Sequence, residues 1–283
     1  MLTPLAHIRF LEHLDIMDRW AWHELFAKAG ILLLLATGCG KKEDFRSVLL
    51  ISHAGMGLNI QNSMYHDNSR EALDMACGMM GCDGVEVDVQ LSKDGELWLY
   101  HDATLESETN GQGCIPELTR DELQTMHYNS FHKEKLCPLS EISNEELCGK
   151  DLFLDLRHLN ACAQTFVSVE TMINQLSILT LDQKKCWLIT NYSEWIDPLK
   201  QANLNVLFQL DESVSVPQEA VSAEGYVIRN NIITSDQVQE IRSSGKKLFI
   251  FDVRSPKGIR SALEKHPDGI LSDDIRAAII EKN

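Results

Sequence analysis

At 283 residues, the chain has room for one large domain, or two small ones, with a substantial core. Its 42 acidic residues exceed its 26 lysines and arginines, and the net charge of −16 repels phosphate backbones and anionic lipid surfaces, which disfavours nucleic acid as a partner. The 44% hydrophobic and 24% charged content is that of an ordinary globular protein, with no internal repeat, low-complexity segment or charged tail, and no obligate protein partner is evident.

The first element along the chain is a short apolar run in "FAKAGILLLLATGCGKKED" (26–44). It falls short of the roughly 20 apolar residues that cross a bilayer but suits the central region of a secretory signal. Ala36, Thr37 and Gly38 leading into Cys39 resemble the lipobox of bacterial lipoproteins, in which the Cys thiol is acylated and becomes the mature N-terminus. That family more often has Leu where Ala36 stands. The resemblance implies a signal peptide over 1–38, lipidation at Cys39, a tether over 39–46, and a bacterial lipoprotein anchored at the periplasmic or cell surface. Segment 1–25 is long and contains Asp18 and Glu24, which makes Met17 a candidate for the true start. Beyond Cys39 seven cysteines remain, an odd number at irregular spacing that does not read as a disulfide framework or a zinc site. Most of them are expected to be small core residues, a composition that sits awkwardly with an oxidising periplasm.

From residue 47 onward apolar runs alternate with helical patterns. Strands are expected at 48–53, 84–89, 96–101, 152–157, 186–190, 205–210, 225–229, 248–252 and 269–272, and helices at 68–80, 163–180, 193–202, 234–244 and 256–265. Asn68-Ser69 and Thr234-Ser235-Asp236 are helix start signals, short polar side chains able to accept from the free amides of a first turn. Alternating strands and helices predict a parallel α/β domain, and eight such units close a TIM-type (β/α)8 barrel. The ninth strand is absorbed by a β-hairpin at strands 2–3, "GVEVDVQLSKDGELWLYHD" (84–102). With Asp94-Gly95 as a two-residue turn, Asp88 falls opposite His101. Residues two apart on a strand share a face, so Glu86, Asp88 and His101 project together while Val85, Val87 and Val89 take the other side. A doubly wound open sheet is the alternative; against it, no Gly-rich phosphate loop follows the first strand.

Several motifs fall in one order: "SHAG" (52–55), "HDNSREALDMACGMMGCDGVEVDVQLSKDGELWLYHDATLESETNGQG" (66–113), "ELTRDEL" (117–123), "PLSE" (138–141), "LFLDLR" (152–157) and "DGILSDD" (268–274). Together they resemble the glycerophosphodiester phosphodiesterase family over 47–276, in a divergent branch with His-Ala-Gly where His-Arg-Gly is usual. The resemblance implies a barrel with its site at the C-terminal strand ends. It implies metal-dependent hydrolysis of a small phosphodiester to glycerol phosphate and an alcohol. Glu86 and Asp88 would bind one divalent cation, with Asp155 in place of the third acid, usually Glu. Three carboxylates favour Ca²⁺ or Mg²⁺ over zinc. His53 and His101 match the two histidines that move protons, one deprotonating the attacking hydroxyl and one protonating the leaving alkoxide. His66, His127, His132 and His158 match nothing and are expected to be surface or packing residues.

The departures concentrate where substrate is held. Ala54 replaces the Arg that normally grips phosphate, and Arg157, Arg229 and Arg254 are the available replacements, with Asn68 also near the expected substrate. Two alternatives stay open: a phosphatidylinositol-phospholipase-like enzyme on another headgroup, which an apolar rim beside the mouth would favour, and a non-catalytic binding lipoprotein on the same barrel.

Overall fold

Eight parallel strands close on themselves in the computed structural model of the chain, which describes residues 44–58, 60, 63–157, 162, 168–179 and 181–283. The expected signal segment 1–38, Cys39 and His158 lie outside the described residues. The ring consists of β1 (Leu49–Ser52), β2 (Gly84–Leu91), β5 (Asp151–Leu156), β6 (Cys186–Thr190), β7 (Asn205–Leu210), β8 (Gly225–Arg229), β9 (Lys247–Val253) and β10 (Gly269–Ser272). β1 pairs with both β10 and β2, which shuts the barrel. Two short strands, β3 (Leu97–Leu99) and β4 (Cys137–Pro138), extend antiparallel from β2 outside the ring.

Alternation along the strands builds two cores. Ile51, Phe153, Ile189, Leu207, Val227, Phe249 and Leu271 fill the inside of the barrel. Val85, Val87, Val89, Leu152, Leu154 and Leu156 point outward into the layer shared with the helices. These are α1 (Arg70–Cys77), α2 (Arg120–Leu123), α3 (Val169–Ile178), α4 (Ser193–Gln201), α5 (Ser235–Ser243), α6 (Pro256–Leu263) and α7 (Ile275–Lys282). Ser69 caps α1 by accepting from Ala72 N, and Thr234 forms a capping box with Gln237 on α5, as the start signals imply. The expected helix 163–180 is described only as α3, because 163–167 and 180 lie outside the described residues. α2 and α7 were not expected, although Thr119-x-x-Glu122 and Asp274 cap them. The segment joining β2 to β5 carries its own small core of Trp98, Tyr100, Leu105, Ile115, Leu123, Tyr128 and Leu136.

Two expectations need correction. The hairpin turn has three residues rather than two: Gly95 N donates to Ser92 O, Ser92 N donates to Glu96 O, and Gly95 takes φ +86°. The left-handed glycine adds a bulge and slips the register by one, so Val89 faces Leu99 and Asp88 faces Tyr100 instead of His101. The cysteines are also not all isolated: Cys114 and Cys162 form a disulfide, while Cys77, Cys82 and Cys137 are buried thiols as expected.

Candidate active site

The carboxyl ends of the ring strands open on a cavity of about 330 Å³. Glu86, Asp88, Asp155, His53, His101, Arg157, Arg229 and Arg254 all line it. β2 delivers Glu86 and Asp88 inward by its two-residue period, and Asp155 stands beside Asp88 on β5. One carboxylate oxygen from each of the three lies within 4.8 Å of the others.

Each acid is held in place. Ala54 N donates to Glu86 Oε2 at 2.8 Å, and Gly55 N donates to Glu86 O at 3.0 Å. To make these contacts the chain turns left-handed at Ala54, with φ +48°. A backbone amide at position 54 thus supports the first acid. Asn68 Nδ2 donates to Asp88 Oδ2 at 2.9 Å, and Asp88 N donates to Asn68 Oδ1 at 2.8 Å. Arg157 Nη1 lies 3.2 Å from Asp155 Oδ2 and 3.4 Å from Asp88 Oδ1. Burial, and then the charge of Asp88, hold Glu86 well above the usual carboxylate range. Asp155 is also raised, by burial, with Arg157 working the other way. Buried carboxylates that repel one another and supply oxygen donors alone fit a hard divalent cation.

The two histidines share one arrangement. His53 Nδ1 sits 2.7 Å from Asp273 Oδ1, and its Nε2 faces Glu86 Oε2 at 3.7 Å. Burial alone would lower the His53 pKa, but Glu86, Asp273 and Asp88 outweigh it and raise the ring to about 9. His101 Nδ1 lies 2.8 Å from Asp102 Oδ1. In each case a carboxylate occupies Nδ1 and leaves Nε2 for proton exchange. Gln90 Nε2 donates to Tyr100 O at 3.0 Å and Asp102 O at 2.8 Å, and so fixes the turn that carries His101 beyond the end of β3.

The remaining predicted residues divide. Arg229 reaches Asp211 and Asp252 at 3.3 and 3.1 Å and lies over the Phe251 ring at 4.8 Å. Arg254 lies 3.2 Å from Asp252 and 3.1 Å from Asp273. Both arginines face the cavity, each already sharing two carboxylates. Asn68 does not line the cavity: it is fully buried, with its amide committed to Asp88, so it supports the acids from behind. Sequence reasoning missed Asp273, Asp102, Gln90, Asp211 and Asp252. Three of these were signalled: Asp273 is the second-last residue of the last quoted motif, Asp102 follows His101, and Gln90 shares the face of Glu86 and Asp88. Asp252 was not, because it reaches the cavity through a left-handed turn at φ +60° where the β9–β10 register shifts.

A (βα)8 barrel whose mouth gathers three acids and two carboxylate-held histidines at the carboxyl ends of its strands has the layout of an enzyme active site. Residues 53–277 match the sequence model of the Glycerophosphoryl diester phosphodiesterase family, and the chain belongs to that family. It is 27% identical over 238 residues to a glycerophosphodiester phosphodiesterase of Caldanaerobacter subterraneus subsp. tengcongensis, covering 80% of this chain and 94% of that one. It is 25% identical over 225 residues to a glycerophosphodiester phosphodiesterase of Bacillus altitudinis, covering 74% and 89% respectively. The fold is shared with an Oleispira antarctica phosphodiesterase solved in complex with the product sn-glycerol-3-phosphate, at a TM-score of 0.69, 19% identity, and coverage of 84% of this chain and 99% of that one.

Proposed function

We propose that this phosphodiesterase hydrolyses glycerophosphodiesters to glycerol phosphate and an alcohol by two-histidine acid–base catalysis on a divalent cation, Ca²⁺ or Mg²⁺. The observation that carries this reading is the convergence of Glu86, Asp88 and Asp155 within 4.8 Å on the cavity that His53 and His101 also line. A cation held by those three acids would supply Lewis-acid polarisation of a phosphoryl oxygen. The chain's own groups do the rest. One histidine takes the proton of the substrate's glycerol hydroxyl as it attacks phosphorus, and the other protonates the departing alkoxide; the roles reverse when water opens the cyclic phosphate. Asp273 and Asp102 keep the two rings aimed. Arg157 carries a guanidinium kept charged by Asp88 and Asp155 and stands nearest the acids, which suits it to a phosphoryl oxygen. Purified chain should release glycerol phosphate from a panel of glycerophosphodiesters with Ca²⁺ or Mg²⁺, lose that activity in EDTA, and lose it in His53→Ala. Full turnover in EDTA would refute the metal requirement, and an active His53→Ala would refute the acid–base assignment.

A second reading, an intact-lipid phospholipase, is favoured by an apolar rim. Ile60, Met64 and Phe131 line a groove with Gly57, and Phe131 is 93% exposed and Met64 59%. The next residue, Leu58, lines the catalytic cavity. Faster headgroup release from lipid in zwitterionic vesicles than from its deacylated counterpart, lost in Phe131→Ser, would select this reading.

For location we propose an extracytoplasmic lipoprotein acylated at Cys39. The Cys114–Cys162 disulfide supports an oxidising compartment. Mass spectrometry of the mature N-terminus would decide: an unmodified Cys39 within an unprocessed chain would end the proposal.

A further inference from the structure

Beside the catalytic cavity lies a second set of donors that the reaction does not use. One ring nitrogen of His66, one carboxylate oxygen of Asp67 and one of Glu108 lie within 4.8 Å of one another. They come from two separate segments: His66 and Asp67 end the loop between β1 and α1, and Glu108 belongs to the segment between β3 and β4. The geometry points to a second, structural cation site here, selecting a borderline divalent ion such as Zn²⁺ through one imidazole and two carboxylates.

Several independent features support it. The His66 ring is fixed by stacking on Tyr128, with centroids 3.9 Å apart and planes 13° from parallel. Its Nδ1 stands 2.9 Å from Asp67 O and 3.4 Å from Asp67 Oδ1, so Asp67 presents two oxygens to the same edge of the ring. Glu108 Oε2 is buried and has no hydrogen-bond partner among the described residues. A buried carboxylate oxygen left this way carries a desolvation cost that a bound cation would remove.

The donor chemistry separates this site from the first. Glu86, Asp88 and Asp155 offer oxygen alone, which suits hard cations, whereas an imidazole nitrogen favours the transition series. A bound ion would tie together two segments that serve catalysis at one remove. Asp67 precedes Asn68, whose amide holds Asp88 on two sides. Glu108 O accepts from Asn129 N at 2.7 Å, beside the Thr109–Tyr128 bridge, and so belongs to the packed base of the β3–β4 segment.

The test is calorimetric titration of Zn²⁺ into the full chain under saturating Ca²⁺, which occupies the oxygen-only acids, paired with anomalous diffraction at the zinc edge. One Zn²⁺ per chain is expected, with an anomalous peak between His66, Asp67 and Glu108. Its affinity should fall about tenfold or more in His66→Asn and in Glu108→Gln, while circular dichroism and Ca²⁺ affinity stay unchanged. Glu86→Gln should retain Zn²⁺ binding, because the site does not depend on the catalytic acids. Absence of stoichiometric Zn²⁺, a peak at Glu86 and Asp88 instead, or wild-type affinity in both donor variants would overturn the assignment. Should the variants misfold, the position of the wild-type peak alone decides.

Discussion

At the scale of single residues, the site depends on how each histidine is aimed. Asp273 Oδ1 accepts from Leu58 N and sits against His53 Nδ1, while its Oδ2 pairs ionically with Arg254 Nε. It is itself held below the ordinary carboxylate range: burial would raise it, but the hydrogen bond and charge of His53 outweigh that. Asp273→Asn keeps the shape and removes the charge. Its kcat should fall roughly 10²-fold or more with KM little changed, because the residue aims a proton-transfer group and does not touch substrate. An unchanged kcat would remove Asp273 from the machinery. The same pair fixes a stability signature in metal-free protein. The His53 pKa rises on folding from 6.5 to about 9, so the pair's contribution is fully present below 6.5 and is lost as pH climbs through about 9. Urea midpoints of the EDTA-treated chain should drop across that window in the wild type and across a narrower one in Asp273→Asn, where Glu86 still raises the ring. Parallel curves would show that Asp273 does not set the His53 pKa.

At the scale of elements, the hairpin shows what could be read in advance. Val85, Val87 and Val89 alternate with Glu86 and Asp88, and that period alone placed the acids on the inner face and the valines on the outer. The register was not legible, because Asp-Gly serves both two- and three-residue turns and the choice depends on whether glycine takes the bulge position. His101 still reaches the cavity because Gln90 holds the carbonyls on both sides of it, just past the last pairing of Tyr100 N with Asp88 O. Replacing Gln90 with Leu removes both donors and leaves two carbonyls unpaired, at a cost of about 2–3 kcal/mol. The expected outcome is a matching drop in urea stability together with a kcat loss larger than that of a core variant of equal stability, such as Leu99→Ala. Equal kcat in the two variants would mean that Gln90 only stabilises the fold. The acids and histidines were readable because each sits in or just beyond a strand, within a quoted motif. Asp211, Asp252 and the Arg229 contacts were not, since they depend on how β7, β8 and β9 stand against one another.

At the scale of the whole molecule, the barrel was legible from the alternation of apolar runs, but the disulfide found among the described residues was not. Cys114 and Cys162 are 48 residues apart, with β4 and β5 between them, and neither has a partner at a spacing that suggests pairing. Only the folded ring brings their Cα atoms to 6.0 Å, within ordinary disulfide reach. The bond joins the segment that carries His101 to the stretch after β5, which carries Asp155 and Arg157, so it links the flanks of one catalytic mouth. Closing a loop of that length lowers the entropy of the unfolded chain by about 4 kcal/mol at 25 °C, a ceiling that native strain can only reduce. Cys114→Ser should therefore lose up to that amount in denaturant titration, and the wild type should lose a similar amount under strong reductant while the variant stays unaffected. The molecule also carries a net charge of −16, whose self-repulsion opposes compactness and is screened by salt. The reduced chain should then be the more salt-sensitive of the two forms, because it has lost the covalent restraint but kept the repulsion. A reductant effect identical in wild type and Cys114→Ser would show that the stabilising bond is not this one.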